Sequence, residues 1–270
     1  MQFWKYQGAG NDFVMVDQRD QQWLTRADTQ RIAWLCDRHF GIGADGLILL
    51  QSHPDYDFEM IYFNSDGRES TMCGNGGRCI VAFAHHLGMV GSQCRFLAID
   101  GPHEARIDTN AATEPGELRV ELHMQDVPRV ERHGEAYVLN TGSPHYVRFV
   151  DEIAPLDMVN EGRAVRYSEA FRSEGINVNL VQPGEAGFDI RTYERGVEDE
   201  TLACGTGVTA AAIAWYLHEQ HTQPVGQHVE VAPIKALGGA LAVHFDAQAD
   251  GSFRNIQLIG PARRVFSGTI

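Results

Sequence analysis

Tyr62–Gly76 reads YFNSDGRESTMCGNG, and Tyr193–Gly207 reads YERGVEDETLACGTG. Laid over one another at an offset of 131 positions, five of the fifteen positions are identical. They are Tyr62/Tyr193, Glu69/Glu200, Cys73/Cys204, Gly74/Gly205 and Gly76/Gly207. Residue usage near ~7% for a common amino acid predicts roughly one match in such a window. The surrounding pattern repeats too: a strand-like run, a polar loop, Cys-Gly-x-Gly, then an apolar stretch, Cys79–Leu87 or Val208–Leu217. Internal self-similarity of this kind marks a duplicated unit. The sequence therefore predicts two similarly built lobes, each presenting one cysteine at the start of a helix.

Outward from the repeat, the periodicity predicts a strand over 1–7 broken by Gly8, Gly10 and Asn11, and a helix over about 26–39 with Gly41 as its stop signal. Strands follow at 47–51 and 57–63, and residues 95–150 alternate apolar and polar between turn signals. Residues 155–172 read as mostly helical, 177–181 and 188–193 as strands, then two strands around Gly238-Gly239 and a last one at 253–259. No low-complexity linker separates the halves.

The 270 residues hold 22 Lys+Arg against 36 Asp+Glu, a net charge of −14. So acidic a surface repels phosphate backbones and anionic lipid, which argues against nucleic-acid and membrane-surface partners. No apolar run reaches the roughly eighteen residues of a membrane span. The start, MQFWKYQGAGNDF, has none of the features of a secretory signal. Five scattered cysteines (Cys36, Cys73, Cys79, Cys94, Cys204) are an odd set with no disulfide pattern, as expected of a cytoplasmic protein.

Free N–H groups and the positive end of the dipole at a helix start bind anions and lower a thiol's pKa. The two helices, CIVAFAHHL and VTAAAIAWYL, are apolar nearly all round and so enclosed. Two matched thiols, each beside a carboxylate cradle, suit inversion of a stereocentre: one takes a proton from one face and the other delivers one to the opposite face. Fixed dipoles at the carboxylate stabilise the carbanion that forms between. The only lysines, Lys5 and Lys235, lack the glycine-rich phosphate context of a pyridoxal Schiff base, so a cofactor-free reaction is favoured. Metal binding is not expected, because Cys73 and Cys79 are too far apart for zinc spacing and the histidines show no ligand pattern. Gly41–Gly46, GIGADG, fits GxGxxG but precedes a strand where a dinucleotide site would open a helix, and reads as a turn carrying Asp45.

These segments together resemble the diaminopimelate epimerases over almost the whole chain. The resemblance rests on GAGNDF (8–13), RHFGIGADG (38–46), YFNSDG (62–67), MCGNGGRC (72–79), SPHYV (143–147), NVNL (177–180) and YERGVEDETLACGTG (193–207). It implies an α+β fold of two pseudo-symmetric lobes, each a curved, mostly antiparallel, barrel-like sheet around a central helix. The lobes would span 1–118 and 119–249, with a C-terminal strand in 250–270 returning to the first. It implies cofactor-independent interconversion of LL- and meso-2,6-diaminopimelate, in lysine and peptidoglycan synthesis, by a homodimer. Cys73 and Cys204 would be the acid and base. Gly74, Asn75, Gly205 and Thr206 would hold the α-carboxylate; Asn11, Asn64, Asn177, Glu194 and Arg195 would recognise the substrate; His145 and Glu194 would tune the thiols. Two positions depart from the pattern: Ser143 replaces a common asparagine, and Gly46 stands where some members carry a substrate-contacting glutamine.

Three other readings fit part of the sequence. A proline racemase or hydroxyproline epimerase also pairs cysteines, but usually has histidine where this chain has Asn75. A thiol-disulfide redox protein would join Cys73 to Cys204 reversibly, and a non-catalytic amino-acid-binding module would bind without exchanging the α-hydrogen.

Overall fold

A computed structural model describes residues 1–109, 115–219 and 228–270. The chain divides into two compact units: Met1–Leu122 with Gly260–Ile270, and His123–Ile259.

The first unit contains β1 (Gln2–Gly8), β2 (Asn11–Asp17), α1 (Thr29–Cys36), β3 (Gly46–Gln51), β4 (Phe58–Asn64), α2 (Gly74–His86), β5 (Gln93–Ala98), β6 (Gly101–Asp108) and β7 (Glu117–His123). The second contains β8 (Glu131–His133), β9 (Ala136–Asn140), β10 (Pro144–Phe149), α3 (Met158–Arg166), β11 (Asn177–Pro183), β12 (Phe188–Glu194), β13 (Asp199–Thr201), α4 (Gly205–Glu219), β14 (His228–Ala236) and β15 (Gly239–Ala247). β16 (Phe253–Thr269) lies in the second unit up to Ile259 and in the first from Gly260 onward. The expected strand at 253–259 therefore runs on to Thr269.

In the first unit β1 to β7 pair in chain order, and the second half of β16 pairs with both β7 and β1, closing an eight-stranded barrel. Most pairs are antiparallel, but β2–β3 and β4–β5 are parallel. The second unit repeats this order as β9-β10-β11-β12-β14-β15-β16, with its parallel pairs at the matching places, β10–β11 and β12–β14. There the segment after β7 returns along the first half of β16, through Met124 to Ile256 and Val127 to Phe253. β8 then continues it against β9.

Each ring encloses its apolar helix. Every residue of α2 from Gly74 to Ala84 is buried, against β1, β2, β3 and β6. In α4 only Thr206 interrupts the buried run from Gly205 to Ala214. β3, GLILLQ, is buried on both faces, and its alternation assigns them: Ile48 reaches toward Gly76 of α2, while Leu47 and Leu49 pack under Ile32 and Leu35 of α1. α3 covers the second unit likewise, with Met158 against Val178, Leu180 and Tyr193.

Both outer helices are shorter than the periodicity predicts. α1 stops at Cys36 because the chain folds back, Ile42 and Gly43 donating to the Leu35 carbonyl. α3 is only nine residues, capped by Asp157 accepting from the Asn160 amide at 3.1 Å. The central helices begin directly after the two cysteines, with the glycine-rich leads as their first helical turn.

Candidate active site

Cys73 is the N-cap of α2. Its backbone is extended (φ −102°, ψ 148°), its carbonyl accepts the Gly77 amide at 2.8 Å, and its Sγ accepts the Gly76 amide at 3.2 Å. A thiolate here lies at the positive end of the α2 dipole. Asn75, one residue into α2, turns its Oδ1 to the Arg78 Nη2 at 2.9 Å and its Nδ2 toward the Asn11 Oδ1 at 3.5 Å. Arg78 is fully buried and also donates to the Gly74 carbonyl at 3.2 Å; burial lowers its pKa to about 10.

Asn64 ends β4, exposed, with Gly46 as its partner across the β3–β4 pair. The Tyr62 hydroxyl donates to its Oδ1 at 2.8 Å. A Cβ on Gly46 would lie 2.6 Å from the Tyr62 Cε2 and 2.6 Å from the Phe63 carbonyl oxygen. The glycine at 46 thus belongs with the tyrosine at 62: the phenol fills the space beside β3 that a side chain at 46 would need.

In the second unit Cys204 precedes α4, its carbonyl accepting the Val208 amide at 2.8 Å. Its Sγ is 3.4 Å from the Thr206 Oγ1, which lies 2.9 Å from the His145 Nε2. His145 is fully buried, and on its other side Nδ1 faces the Asn179 Nδ2 at 3.1 Å. The Asn179 Nδ2 also donates to the Tyr146 carbonyl at 3.0 Å, and its Oδ1 meets the Thr192 hydroxyl at 3.0 Å. That fixes which end of the amide faces the ring, so Nδ1 is an acceptor and Nε2 carries the proton. Burial first, and the Arg195 charge second, lower the His145 pKa to about 3, so the ring is neutral. His145 hence reaches Cys204 through the Thr206 hydroxyl, as a neutral donor. α4 comes so close to this network that a Cβ on Gly207 would be 2.5 Å from the Asn179 Oδ1.

Asn177 is anchored at both ends. Its Nδ2 donates to the Ser143 Oγ at 2.8 Å and the Pro144 carbonyl at 3.2 Å, and its Oδ1 accepts the Arg195 amide at 2.8 Å. The hydroxyl of Ser143 therefore keeps a polar contact in this corner. The Arg195 guanidinium donates to the Glu174 carbonyl at 2.9 Å. Glu194, half-buried at the end of β12, has its pKa raised by burial, with Thr201 drawing it partly back.

The remaining thiols behave as apolar side chains. Cys36, Cys79 and Cys94 are buried, and burial pushes each thiol pKa up, to about 12 for Cys36 and Cys94. Lys5 is committed to a 2.8 Å ion pair with Asp12 and to the Gly43 carbonyl.

Three further residues shape the site without a role read from the sequence, Arg78, Asn179 and Thr192, and Tyr62 stands out there only as an identical position of the repeat. Asn179 had a signal, because it lies two residues beyond Asn177 and so on the same face of β11.

A sequence model described as Diaminopimelate epimerase matches residues 3–130 and 137–262. The chain belongs to the diaminopimelate epimerase family. It is 48% identical to the diaminopimelate epimerase of Flavobacterium psychrophilum, with both chains covered in full. It is 38% identical to that of Aquifex aeolicus, over 100% of this chain and 98% of the other. Among solved structures, a phenazine biosynthesis protein of the PhzF family from Bacillus anthracis superposes with a TM-score of 0.77 at 14% identity, covering 100% of this chain and 98% of that one. A hydroxyproline epimerase from Agrobacterium vitis, with bound trans-4-hydroxy-L-proline, gives 0.66 at 12% identity over 99% and 91%. These distant structures share the fold; the closer sequences carry the family.

Proposed function

We propose that this family member interconverts LL- and meso-2,6-diaminopimelate through Cys73 and Cys204, without a cofactor, in lysine and peptidoglycan synthesis. The observation that carries the reading is the cysteine at the same topological place in both units, directly before the buried central helix. In one direction a thiolate removes the α-proton and the other thiol returns a proton to the opposite face; the reverse reaction exchanges their roles. The α-carboxylate is held by the helix-start groups of Gly74, Asn75, Gly205 and Thr206. Helix-start dipoles of that kind take up the charge that builds on the carbanion. Asn11, Asn64, Asn177, Glu194 and Arg195 recognise the rest of the substrate. Glu194, its pKa raised by burial, and His145 are the residues that the family resemblance assigns to tuning the thiols.

Free thiols at all five cysteines suit a reducing compartment, and we place the enzyme in the cytoplasm. The family resemblance supports a homodimer. Incubation with LL-diaminopimelate in deuterated water tests the reaction. The expected result is meso product carrying deuterium at the inverted α-carbon; binding without label incorporation would overturn the assignment.

A further inference from the structure

Asp45 lies in the Gly41–Gly46 turn, just before β3. Its Oδ2 accepts from the Asn11 Nδ2 at 2.6 Å and from the Asp12 amide at 3.2 Å, while its Oδ1 pairs with Arg38 at 2.7 Å. Asp12 carries the other half of this cluster: it pairs with Lys5 at 2.8 Å and Arg38 at 2.9 Å, and its Oδ1 accepts the Asp45 amide at 3.0 Å. Asn11 sits at the start of β2 and faces Asn75 across 3.5 Å.

Both ends of this amide pair are set by groups with no choice of role. A carboxylate only accepts, so the Asn11 Nδ2 must face Asp45 and its Oδ1 must face away. A guanidinium only donates, so the Asn75 Oδ1 must face Arg78 and its Nδ2 must face Asn11. Among the described residues no carboxylate forms an ion pair with Arg78. Its orientation is instead fixed by the Gly74 carbonyl and Asn75. The Asn11–Asn75 distance is at the outer limit of a hydrogen bond, so the two amides pair weakly with each other. The acceptor of one stands beside the donor of the other.

We propose that Asp45 and Arg78 are positioning residues that fix the direction of the Asn11 and Asn75 amides, so that this corner offers an acceptor to an ammonium and a donor to a carboxylate of the substrate. The inference rests on the diaminopimelate reading above. It gives a role to the Asp45 turn, whose glycine pattern resembles a nucleotide loop and whose work is to orient a neighbouring amide.

The test is a double-mutant cycle on the full enzyme with LL-diaminopimelate. Asp45→Asn is isosteric, and the Asp45 side chain is 40% exposed, so folding should survive; thermal melting checks it. An amide at 45 keeps a single acceptor oxygen, uncharged, where Asn11, the Asp12 amide and Arg38 all need one, so its hold on the direction of Asn11 weakens. Loss of one charge-assisted hydrogen bond is expected to raise KM about tenfold with kcat held within about threefold. In an Asn11→Ala background the same substitution should have no further effect, because Asp45 acts through Asn11. Arg38→Gln removes the ion pair but keeps the acceptor, and should leave KM within about twofold. Unchanged KM in D45N, full additivity with N11A, or a matching rise in R38Q would each overturn the proposal. Should the unmodified enzyme show no turnover at all, the proposed function fails; turnover with an indifferent D45N removes only this inference.

Discussion

The two cysteine sites share a fold and differ in their partners. Cys73 caps α2 in a corner of charges and side-chain amides: Arg78 behind Asn75, and Asp45 and Arg38 behind Asn11. Cys204 leads into α4 beside a network without formal charge, running Thr206, His145, Asn179, Thr192. Duplication supplied the scaffold twice, helix start included. The side chains around the two helix starts differ between the halves. For the proposed inversion of a single stereocentre such asymmetry is expected, because one thiol would deprotonate the LL diastereomer and the other the meso form.

The sharpest way to break the comparison is to remove each thiol in turn. Cys73→Ser and Cys204→Ser replace a group with an ordinary pKa near 8.5 by one that does not ionise near neutrality. Each is expected to lower kcat for epimerisation by about 10³-fold or more. Full turnover in either single variant would show that one half is scaffold only, and would defeat the two-base mechanism.

The next test asks whether Cys204 depends on the Thr206 hydroxyl. That hydroxyl can accept from the thiol or donate to the thiolate, and so can follow the proton in both directions. Thr206→Val keeps the shape, removes this link, and leaves the buried Nε2–H of His145 unpaired. An unpaired buried donor costs about 1–3 kcal/mol, and kcat should fall about tenfold or more. Thr206→Ser should restore most of it. Alkylation rates measured by peptide mapping should change at Cys204 and stay constant at Cys73; equal changes at both would mean the sites are not independent.

Acid separates the halves by pH window. His145 is neutral when folded, with a pKa lowered to about 3 against an ordinary 6.5. The unfolded chain takes that proton and the folded chain does not. Its contribution to stability is therefore whole above 6.5 and is lost as pH falls from there toward 3, at about 1.4 kcal/mol per pH unit for one proton. Asp12 in the first unit behaves differently: burial alone would raise it, but Arg38 and Lys5 outweigh burial and bring its pKa to about 2. Its contribution is present above 3.8 and is lost only as pH falls from there through 2. Urea midpoints between pH 7 and 4 should drop in the parent enzyme, and His145→Gln should flatten that drop by about one proton.

Much of this was legible before any coordinates, and the reason is local. Cys-Gly-x-Gly is read from covalent neighbours, because a helix start, its cap and its small residues are contiguous; the repeat then gave the second copy. Parallel pairing of β2 with β3 and of β10 with β11 was not legible, since register depends on chains distant in sequence. Gly46 could be noticed as a departure, but what fills its space could not, because Tyr62 arrives from the neighbouring strand. Arg78 carries no such signal: what marks it is burial with no ion-pairing carboxylate among the described residues, and burial of a single side chain has no sequence signature.

The smallest effect concerns that tyrosine. The Tyr62 hydroxyl donates to the Oδ1 of the exposed Asn64, which fixes the direction of that amide. Tyr62→Phe keeps the ring against Gly46 and deletes one neutral hydrogen bond, whose net worth is about 1 kcal/mol. If Asn64 takes part in recognition, losing the bond that directs it should raise KM for LL-diaminopimelate about threefold to fivefold, with kcat and melting temperature nearly constant. A fall in kcat with KM unchanged would instead tie Tyr62 to the Cys73 chemistry, and would make the first unit's site a single connected system rather than separate recognition and proton-transfer parts.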